Sequence, residues 1–432
     1  MLIGTDLMAT AVILIILAAL VLFFTEWLPL PVTAMSVCTS FYLIGAIDAN
    51  TALKSFSSKT AMIIICMAII GEAVFKTGGA DKIGELITKA GTDERKLIFI
   101  IVMFSGIMSG FLSNTGAAAL LIALILGMCA STGMKRSKLM YPVIVGCCFG
   151  GGITIVGTTS GPFLQEALEN LGIGETMSFF EFAPLSLLLL VISAFYMATI
   201  GYKLLPDTPA NAGEYAEDKN SASQLDFSNI PRWKTGLSLL IMVGTLIGMI
   251  FEKQIGIPLH FVAIIGSIIV VGARCITWKQ ASSAIPVGGL VIYAAMVPVA
   301  NAMVNSGTAK LIASAAQSVL GGLNSPILVM LMIFLIITPI TNFMSNAATI
   351  ILFTPIAIIV ANSLGIHPKA ILVAVRFAAS IAIATPVAMP ANAMAVEPGG
   401  YRFMDFVRPG LPLTLICVVV SIAYVAVFYP LG

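Results

Sequence analysis

Charged residues are scarce in this sequence. Asp, Glu, Lys and Arg together make up 10% of its 432 residues, against about 25% in typical soluble domains. The apolar residues, at 59%, exceed the usual share of about 45–50%. A water-soluble core does not use so many apolar side chains, so the composition excludes an ordinary soluble globular protein.

Residues for metal or nucleotide chemistry are also few. The sequence has two histidines, His260 and His367, and lacks HExxH, Walker A and paired CxxC motifs. Its seven cysteines lie in or beside apolar runs without metal-ligand spacing, which favours small buried side chains over redox or metal sites. The net charge is +2 with dispersed basic residues, so no nucleic-acid surface is predicted. No organic cofactor is expected.

These residues give little support to an enzymatic function. The segment GTTSG at 157–161 suggests a serine nucleophile, but an intramembrane serine protease would need a histidine in mid-span. Both histidines lie beside prolines at the ends of apolar runs, where an interfacial position is the simpler interpretation.

Long apolar runs recur along the whole chain. About 20 apolar residues cross roughly 30 Å of hydrocarbon, and only helices or closed barrels satisfy the backbone there. The runs are continuous and contain Gly, Ala, Ser and Thr, as packed membrane helices require. No basic cluster precedes the first run, which is therefore interpreted as a span and not as a signal peptide. Ten spans are predicted, at 8–24, 29–47, 59–76, 139–157, 182–202, 236–251, 258–276, 285–304, 369–387 and 409–429.

Two further apolar regions are interrupted in the middle by a polar pair. The region at about 97–130 contains Ser113-Asn114, and the region at about 326–362 contains Ser345-Asn346. Each half is too short to cross a bilayer comfortably, so both regions are predicted to be re-entrant helical hairpins. The predicted fold is therefore an all-α polytopic membrane protein with about ten spans and two hairpins.

Basic residues orient this topology, since cytoplasmic loops carry the excess. If the first hairpin enters from the cytoplasm, 16 of the 22 lysines and arginines lie on that side. The second hairpin then enters from outside, and both termini are outside. The polar stretch 203–235 becomes a cytoplasmic linker between the halves 1–202 and 236–432.

The two halves repeat the same local patterns. SGFLSNTGAAALLI, from Ser109, corresponds to TNFMSNAATIILF, from Thr341, at an offset of 232 residues. TIVGTTSGPF, from Thr154, corresponds to TPVAMPANAM, from Thr385, at an offset of 231. An odd number of crossings separates equivalent elements, so the repeats are inverted. Inverted repeats with broken helices are typical of secondary transporters, with the binding site near the membrane midplane.

The breaks carry the candidate binding chemistry. Unwound backbone within a membrane persists only where it lines a cavity or binds a ligand, and neutral oxygens at such breaks can coordinate sodium. Helix N-termini at the tips favour an anion between the breaks. For any single side chain, helix–helix hydrogen bonding is the alternative. The oxygen-bearing candidates are Ser109, Ser113, Asn114, Thr115 and the Gly157 carbonyl in the first half, and Thr341, Ser345, Asn346 and the region of the Ala388 carbonyl in the second.

At these residues the chain resembles the divalent anion/sodium symporter family of sodium-coupled dicarboxylate, citrate and sulfate carriers. The matching motifs are SNT at 113–115, SNA at 345–347, GxxTxxGT ending at Thr158, TPVAMPANA at 385–393 and PGGYRFMDFVRPGLPL at 398–413. The resemblance implies an elevator mechanism, a homodimer formed through scaffold helices, and two sodium sites on the hairpin tips.

By position, the resemblance assigns residues to each role. The sodium residues would be Ser109, Ser113, Asn114 and Gly157 in the first site, and Thr341, Met344, Asn346 and Ala388 in the second. The substrate-facing residues would be Asn114, Thr115, Thr158, Asn346, Ala347, Met389 and Pro390. Dicarboxylate carriers usually have threonines where this chain has Ala347 and Met389. Two hydroxyl donors are therefore missing, each worth about 1.5–3 kcal/mol toward a charged group, which leaves the identity of the anion open.

The sequence thus predicts a sodium-coupled symporter of a small, divalent anion in a cell membrane, with a bacterial inner membrane as the expected location and lipid around it. A dicarboxylate is the first candidate substrate and sulfate the second. Exchange without sodium and proton coupling on the same fold are alternatives, and a channel suits two opposed hairpins less well.

Two charged residues lie within predicted spans. Arg376 is either an anion-attracting group or a side chain that snorkels to the interface or pairs with a carboxylate. Glu72 is either the partner of Arg376, a proton-coupling acid, or a buried neutral side chain.

Overall fold

A computed structural model of the chain describes residues 5–25, 27–78, 93–132, 134–169, 171, 175–207, 230–320 and 325–430. These residues are mostly helical, and no strand occurs among them. The predicted all-α membrane fold is confirmed. Most of the predicted linker, residues 208–229, lies outside the described residues, and the orientation in a membrane stays a prediction.

Within the described residues, the first half contains ten α-helices before the linker. A 3-10 turn at Ser55–Ser57 follows the third, and a π-helical turn at Met197–Gly201 joins the last two. The helices are α1 (Thr5–Thr25), α2 (Leu30–Leu43), α3 (Ala49–Lys54), α4 (Lys59–Lys76), α5 (Glu94–Phe111), α6 (Asn114–Thr132), α7 (Arg136–Gly150), α8 (Ser160–Glu169), α9 (Ala183–Tyr196) and α10 (Tyr202–Leu204).

The second half begins with seven helices of 4 to 19 residues within the described chain, and a second helix–turn–helix and a second interrupted helix follow. The helices are α11 (Arg232–Ile250), α12 (Glu252–Ile255), α13 (Leu259–Gly272), α14 (Trp278–Ser283), α15 (Val287–Met296), α16 (Val299–Asn305), α17 (Thr308–Leu320), α18 (Pro326–Thr341), α19 (Asn346–Leu364), α20 (Pro368–Ser380), α21 (Pro390–Gly399) and α22 (Phe403–Phe428).

Six helical segments of the described chain are long and apolar enough to cross a membrane. Some of them join two consecutive helices, and several shorter apolar helices accompany them. The six segments are Ala49–Lys76, Ala183–Leu204, Arg232–Ile250, Val287–Asn305, Asn346–Leu364 and Phe403–Phe428.

Two of the predicted spans run into long stretches of irregular backbone. The span predicted at 139–157 ends as a helix at Gly150, and the span predicted at 369–387 ends at Ser380. Irregular backbone follows in both places, through 151–159 and 381–389, before α8 and α21 begin. The apolar composition of these stretches conceals the interruption, which the glycines of the first and the prolines beside the second permit.

The helices pack in two groups. Helices α1–α4 and α11–α16 contact mainly one another, α5–α10 pack with α18–α22, and α17 contacts both sets. The groups meet where α17, α16 and α15 lie against α19, and where α4 lies against α8. We call the first group the outer group and the second, which carries both interrupted helices, the inner group.

Glycines allow the backbones of α5 and α7 to touch inside the inner group. A Cβ added at Gly150 would lie 2.0 Å from the carbonyl oxygen and 2.3 Å from the Cα of Gly106. At Gly146 it would lie 2.4 Å from the carbonyl oxygen of Val102. Only residues without a side chain fit this crossing, which fixes α7 against the first helix–turn–helix.

An ion pair links three elements of the inner group at the ends of predicted spans. The Glu181 carboxylate, just before α9, lies 3.0 Å from Lys369 Nζ of α20 and accepts a hydrogen bond of 3.0 Å from the hydroxyl of Tyr429 after α22. Burial alone raises the pKa of Glu181, but the Ser178 N–H and Lys369 together outweigh it and hold this pKa below its usual value.

We expect the stability of the protein to fall in acid because of Glu181. A lowered folded pKa stabilises the fold above the unfolded value of about 4.3, and this stabilisation is lost as pH falls through the folded pKa. Glu181→Gln should therefore lower the melting temperature at pH 7 more than at pH 3.5. Glu397→Gln, at an exposed position, is the control. Equal shifts at both pH values would contradict the assignment.

Candidate ion and substrate site

The first helix–turn–helix gathers oxygen atoms beside its tip. Helix α5 ends at Phe111 and α6 begins at Asn114. The Ser109 Oγ, which is fully buried, lies 2.7 Å from Asn114 Oδ1 and 3.0 Å from the Cys147 carbonyl oxygen. The serine hydroxyl has one proton to donate and faces two acceptors. Three neutral oxygens therefore converge with a surplus of lone pairs, as a hard cation requires.

The second helix–turn–helix has an equivalent arrangement of three oxygens. The Thr341 Oγ1 lies 2.9 Å from Asn346 Oδ1 and 2.7 Å from the Ala379 carbonyl oxygen. In both copies the hydroxyl contacts an asparagine five residues ahead and a carbonyl 38 residues ahead. The repeat detected in the sequence thus has the same polar contacts in its two halves.

Further hydrogen bonds tie each tip to the interruption that faces it. The Thr154 hydroxyl donates to the Gly110 carbonyl at 2.7 Å, and the Thr385 hydroxyl donates to the Asn342 carbonyl. These pairs are again equivalent in the two halves. Each interrupted helix is therefore held against the turn of its own helix–turn–helix.

Gly157 brings backbone oxygens close together in the first interruption. A Cβ at this position would lie 2.7 Å from the Gly151 carbonyl oxygen and 2.9 Å from that of Gly110. The sequence assigned the Gly157 carbonyl to the first cation site, and the structure places this residue among other carbonyls. Its counterpart Ala388 and the nearby Met344 are fully buried in the second half.

The predicted substrate-facing residues differ in exposure. Thr115 and Pro390 are exposed, and Met389 is only 6% exposed. Asn114, Thr158, Asn346 and Ala347 are partly exposed. Ser113, predicted as a sodium residue, is exposed, and its Oγ accepts the Gly116 N–H at 3.1 Å as a cap of α6.

The two interrupted helices meet at equivalent positions. The Cys148 thiol at the end of α7 donates to the Ser380 carbonyl at the end of α20, at 2.9 Å. Cys147 and Ala379, whose carbonyls belong to the two oxygen clusters, directly precede these residues. The contact therefore places the two clusters on either side of the point where the repeats join.

Arg376 lies within this junction. Its side chain is 3% exposed, and its Nη2 donates to Thr158 Oγ1 at 3.0 Å. No carboxylate lies within 4.0 Å of it among the residues that the structure describes. Within the described residues, Arg376 therefore neither reaches the surface nor pairs with a carboxylate. Glu72 is also not its partner, because Glu72 lies 3.8 Å from Lys76 on its own helix.

Sequence reasoning missed the carbonyls of Cys147 and Ala379 and the position of Arg376. Every residue has a carbonyl, so residue type gives no signal for the first two. The repeat offset of 232 residues, applied to the whole of α7 and α20, would have shown that these helices are equivalent.

Comparison with known proteins agrees with this geometry. A family model described as citrate transporter matches residues 20–365. The chain belongs to the citrate transporter family. An uncharacterized transporter of Synechocystis is 22% identical to this citrate-family chain, over 96% of each protein. The sodium-dependent high-affinity dicarboxylate transporter 3 of Caenorhabditis elegans is 24% identical, over 93% of this chain and 80% of the relative.

A solved structure has the same fold. The YdaH transporter of Alcanivorax borkumensis superposes with a TM-score of 0.66 at 16% identity, over 96% of this chain and 99% of that protein. The resemblance to divalent anion/sodium symporters is confirmed by the family match and the named relatives. This citrate-family chain is thus a multi-pass membrane transporter and not an enzyme.

Proposed function

We propose that this citrate-family transporter is a sodium-coupled symporter of a small organic anion, with a dicarboxylate or citrate as substrate. The observation that carries the proposal is the duplicated oxygen cluster, Ser109–Asn114–Cys147 in one half and Thr341–Asn346–Ala379 in the other. Two equivalent clusters support two sodium sites.

The chemistry of the clusters favours sodium over protons. Their oxygens belong to hydroxyls, amides and backbone carbonyls, none of which titrates near neutral pH. Proton coupling would require a titratable group at the tips, and the residues assigned to the two sites include none. Neutral oxygens from unwound backbone coordinate sodium in other secondary transporters.

The anion is proposed to bind between the clusters. Helices α6 and α19 begin at Asn114 and Asn346, so their N-terminal N–H groups and positive dipole ends lie beside the proposed sodium ions. Bound sodium would add positive charge there, which explains how anion binding and sodium binding can support each other. Ala347 and the buried Met389 offer no hydroxyl, so the polar contacts of the second half come from Asn346 and the backbone.

The two packing groups support an elevator mechanism, in which the inner group moves against the outer group. One polar link between them is the hydroxyl of Tyr293 in α15, which donates to the Glu166 carboxylate in α8 and lies 2.6 Å from Ser58 Oγ. Such links must break and re-form if the inner group moves. A homodimer through the outer group, lipid on its apolar faces and a bacterial inner membrane are parts of this proposal.

Uptake into proteoliposomes tests the function. We expect labelled succinate or citrate to accumulate when sodium is high outside, and expect sodium replacement by choline to remove most of this uptake. Sulfate, tested in parallel, is the alternative substrate. Equal uptake with and without sodium, or accumulation driven by a proton gradient alone, would reject sodium coupling.

Exchange is tested with the same vesicles. A symporter accumulates anion in vesicles that contain no anion, whereas an obligatory exchanger needs a counter-substrate inside. Uptake that appears only after preloading with unlabelled anion would therefore favour the exchanger.

A further inference from the structure

No acidic side chain of the described residues compensates the charge of the Arg376 guanidinium at the junction of the two repeats. Its side chain is 3% exposed, and every acceptor that it contacts is neutral: Ser380 Oγ, Thr158 Oγ1 at 3.0 Å and the Gly151 carbonyl at 3.5 Å. The ring of Phe182 lies 5.7 Å from its Cζ. Neutral dipoles and an aromatic face reduce the desolvation penalty of a buried charge but do not neutralise it.

Two buried polar atoms beside this charge have no hydrogen-bond partner among the described residues. They are Arg376 Nε and the Ser186 Oγ of α9. Both side chains border Gly152, where an added Cβ would lie 2.3 Å from Ser186 Oγ and 3.6 Å from Arg376 Nη2. Native proteins rarely leave buried donors unpaired. An unpaired hydroxyl beside a buried guanidinium whose own Nε is unpaired indicates a place for an oxyanion.

Arg376 is connected to the proposed substrate site through Thr158. Thr158 is partly exposed, whereas Arg376 is not. The buried guanidinium therefore donates to a residue that is itself partly exposed. A ligand that displaced the Thr158 hydroxyl would take over its hydrogen bond from Nη2, and the planar fork of an arginine matches the two oxygens of a carboxylate.

We propose that Arg376 is the fixed countercharge for one carboxylate of the transported anion, with Ser186 as a second donor. This inference rests on the proposed function, because it assigns a residue to the same anion. It also explains how the anion can bind although Ala347 and Met389 of the second half lack hydroxyl donors. The countercharge comes instead from Arg376, which the second half places against the first interruption.

The same geometry predicts opposite effects on sodium and on the anion. The Gly151 carbonyl, which accepts from Arg376, also borders Gly157 at the first cation cluster. The guanidinium therefore repels a cation in that cluster while it attracts the anion. Removing its charge should weaken anion binding but not sodium binding.

Equilibrium binding to the purified, detergent-solubilised full chain tests this inference. We would measure the affinity for succinate and citrate by calorimetry at saturating sodium, and the affinity for sodium from thermal stabilisation against choline. Arg376→Gln should weaken anion binding roughly 10-fold or more and leave sodium affinity unchanged or increased. Arg376→Lys keeps the positive charge but not the planar guanidinium, so it should lose less anion affinity than Arg376→Gln. Arg408→Gln, at an exposed arginine, should bind both ligands like the unmodified protein.

Other outcomes overturn the inference. Unchanged anion affinity in Arg376→Gln would show that Arg376 does not bind the anion, and a parallel loss of anion and sodium affinity would show a structural role only. If Arg376→Gln does not fold, the anion affinity of Ser186→Ala tests the inference instead. This variant should fold, because removing an unpaired hydroxyl should not lower the melting temperature. Ser186→Ala with unchanged anion affinity would then reject the proposal.

The binding measurements test the role of Arg376, whereas the uptake measurements test the proposed sodium coupling. Anion binding that depends on Arg376, without sodium-driven uptake, would reject the proposed coupling but retain the role of Arg376. Sodium-driven uptake with full anion affinity in Arg376→Gln would support the proposed coupling but reject the role of Arg376.

Discussion

Sodium-driven uptake is expected to fall roughly 10-fold to 100-fold when Asn114 or Asn346 is replaced by alanine, because each change removes one oxygen from a proposed cation cluster. The hydroxyls of Ser109 and Thr341 keep a second acceptor, 3.0 Å and 2.7 Å away respectively. The variants should therefore fold normally, so that lost uptake reports on the site.

Aspartate at the same positions should separate the two ligands. Asn114→Asp and Asn346→Asp keep an oxygen and add a negative charge, which favours the cation and repels the anion. We expect sodium-dependent thermal stabilisation to persist while anion uptake falls. Asn362→Ala, at an exposed position near the end of α19, is the matched control. Alanine variants that keep the sodium dependence of uptake would show that the clusters only pack the helices.

Gly150→Ala is expected to destabilise the protein by at least about 1–3 kcal/mol, since the new Cβ would overlap the backbone of Gly106. The contact of 2.0 Å is with a carbonyl oxygen, which no side-chain rotation can relieve. Helices α5 and α7 must separate, and α7 carries the Cys147 carbonyl of the first cluster. A lower melting temperature should therefore accompany weaker sodium binding.

A second glycine provides the control for this prediction. Gly244, within α11, has no atom within 4 Å of an added Cβ. Gly244→Ala should leave stability unchanged or raise it by up to about 1 kcal/mol, because alanine is the better helix former. The melting temperatures of both variants in one detergent provide the measurement. A Gly150→Ala protein as stable as Gly244→Ala would show that the close crossing of α5 and α7 is wrong.

The sequence located the breaks that carry the proposed site because lipid restricts the backbone so strongly. A Ser-Asn pair within an apolar region has few structural solutions, and both pairs lie where one helix ends and another begins. The repeat offset then paired Asn114 with Asn346 without any coordinates. The interruptions after Gly150 and Ser380 were predicted less well, because Ile, Ala and Val continue through them and extend the apolar pattern past the end of the helix.

The amino-acid sequence by itself determined the all-helical membrane fold, the inverted repeat and the hydroxyl and amide groups at both tips, since hydropathy and residue type carry that information. Only the tertiary structure decided which carbonyls complete the clusters and where Arg376 lies. A carbonyl has no residue-specific signature, and the contact between Arg376 and Thr158 joins residues 218 positions apart. Such contacts depend on how α20 packs against the first interruption, which local patterns do not encode.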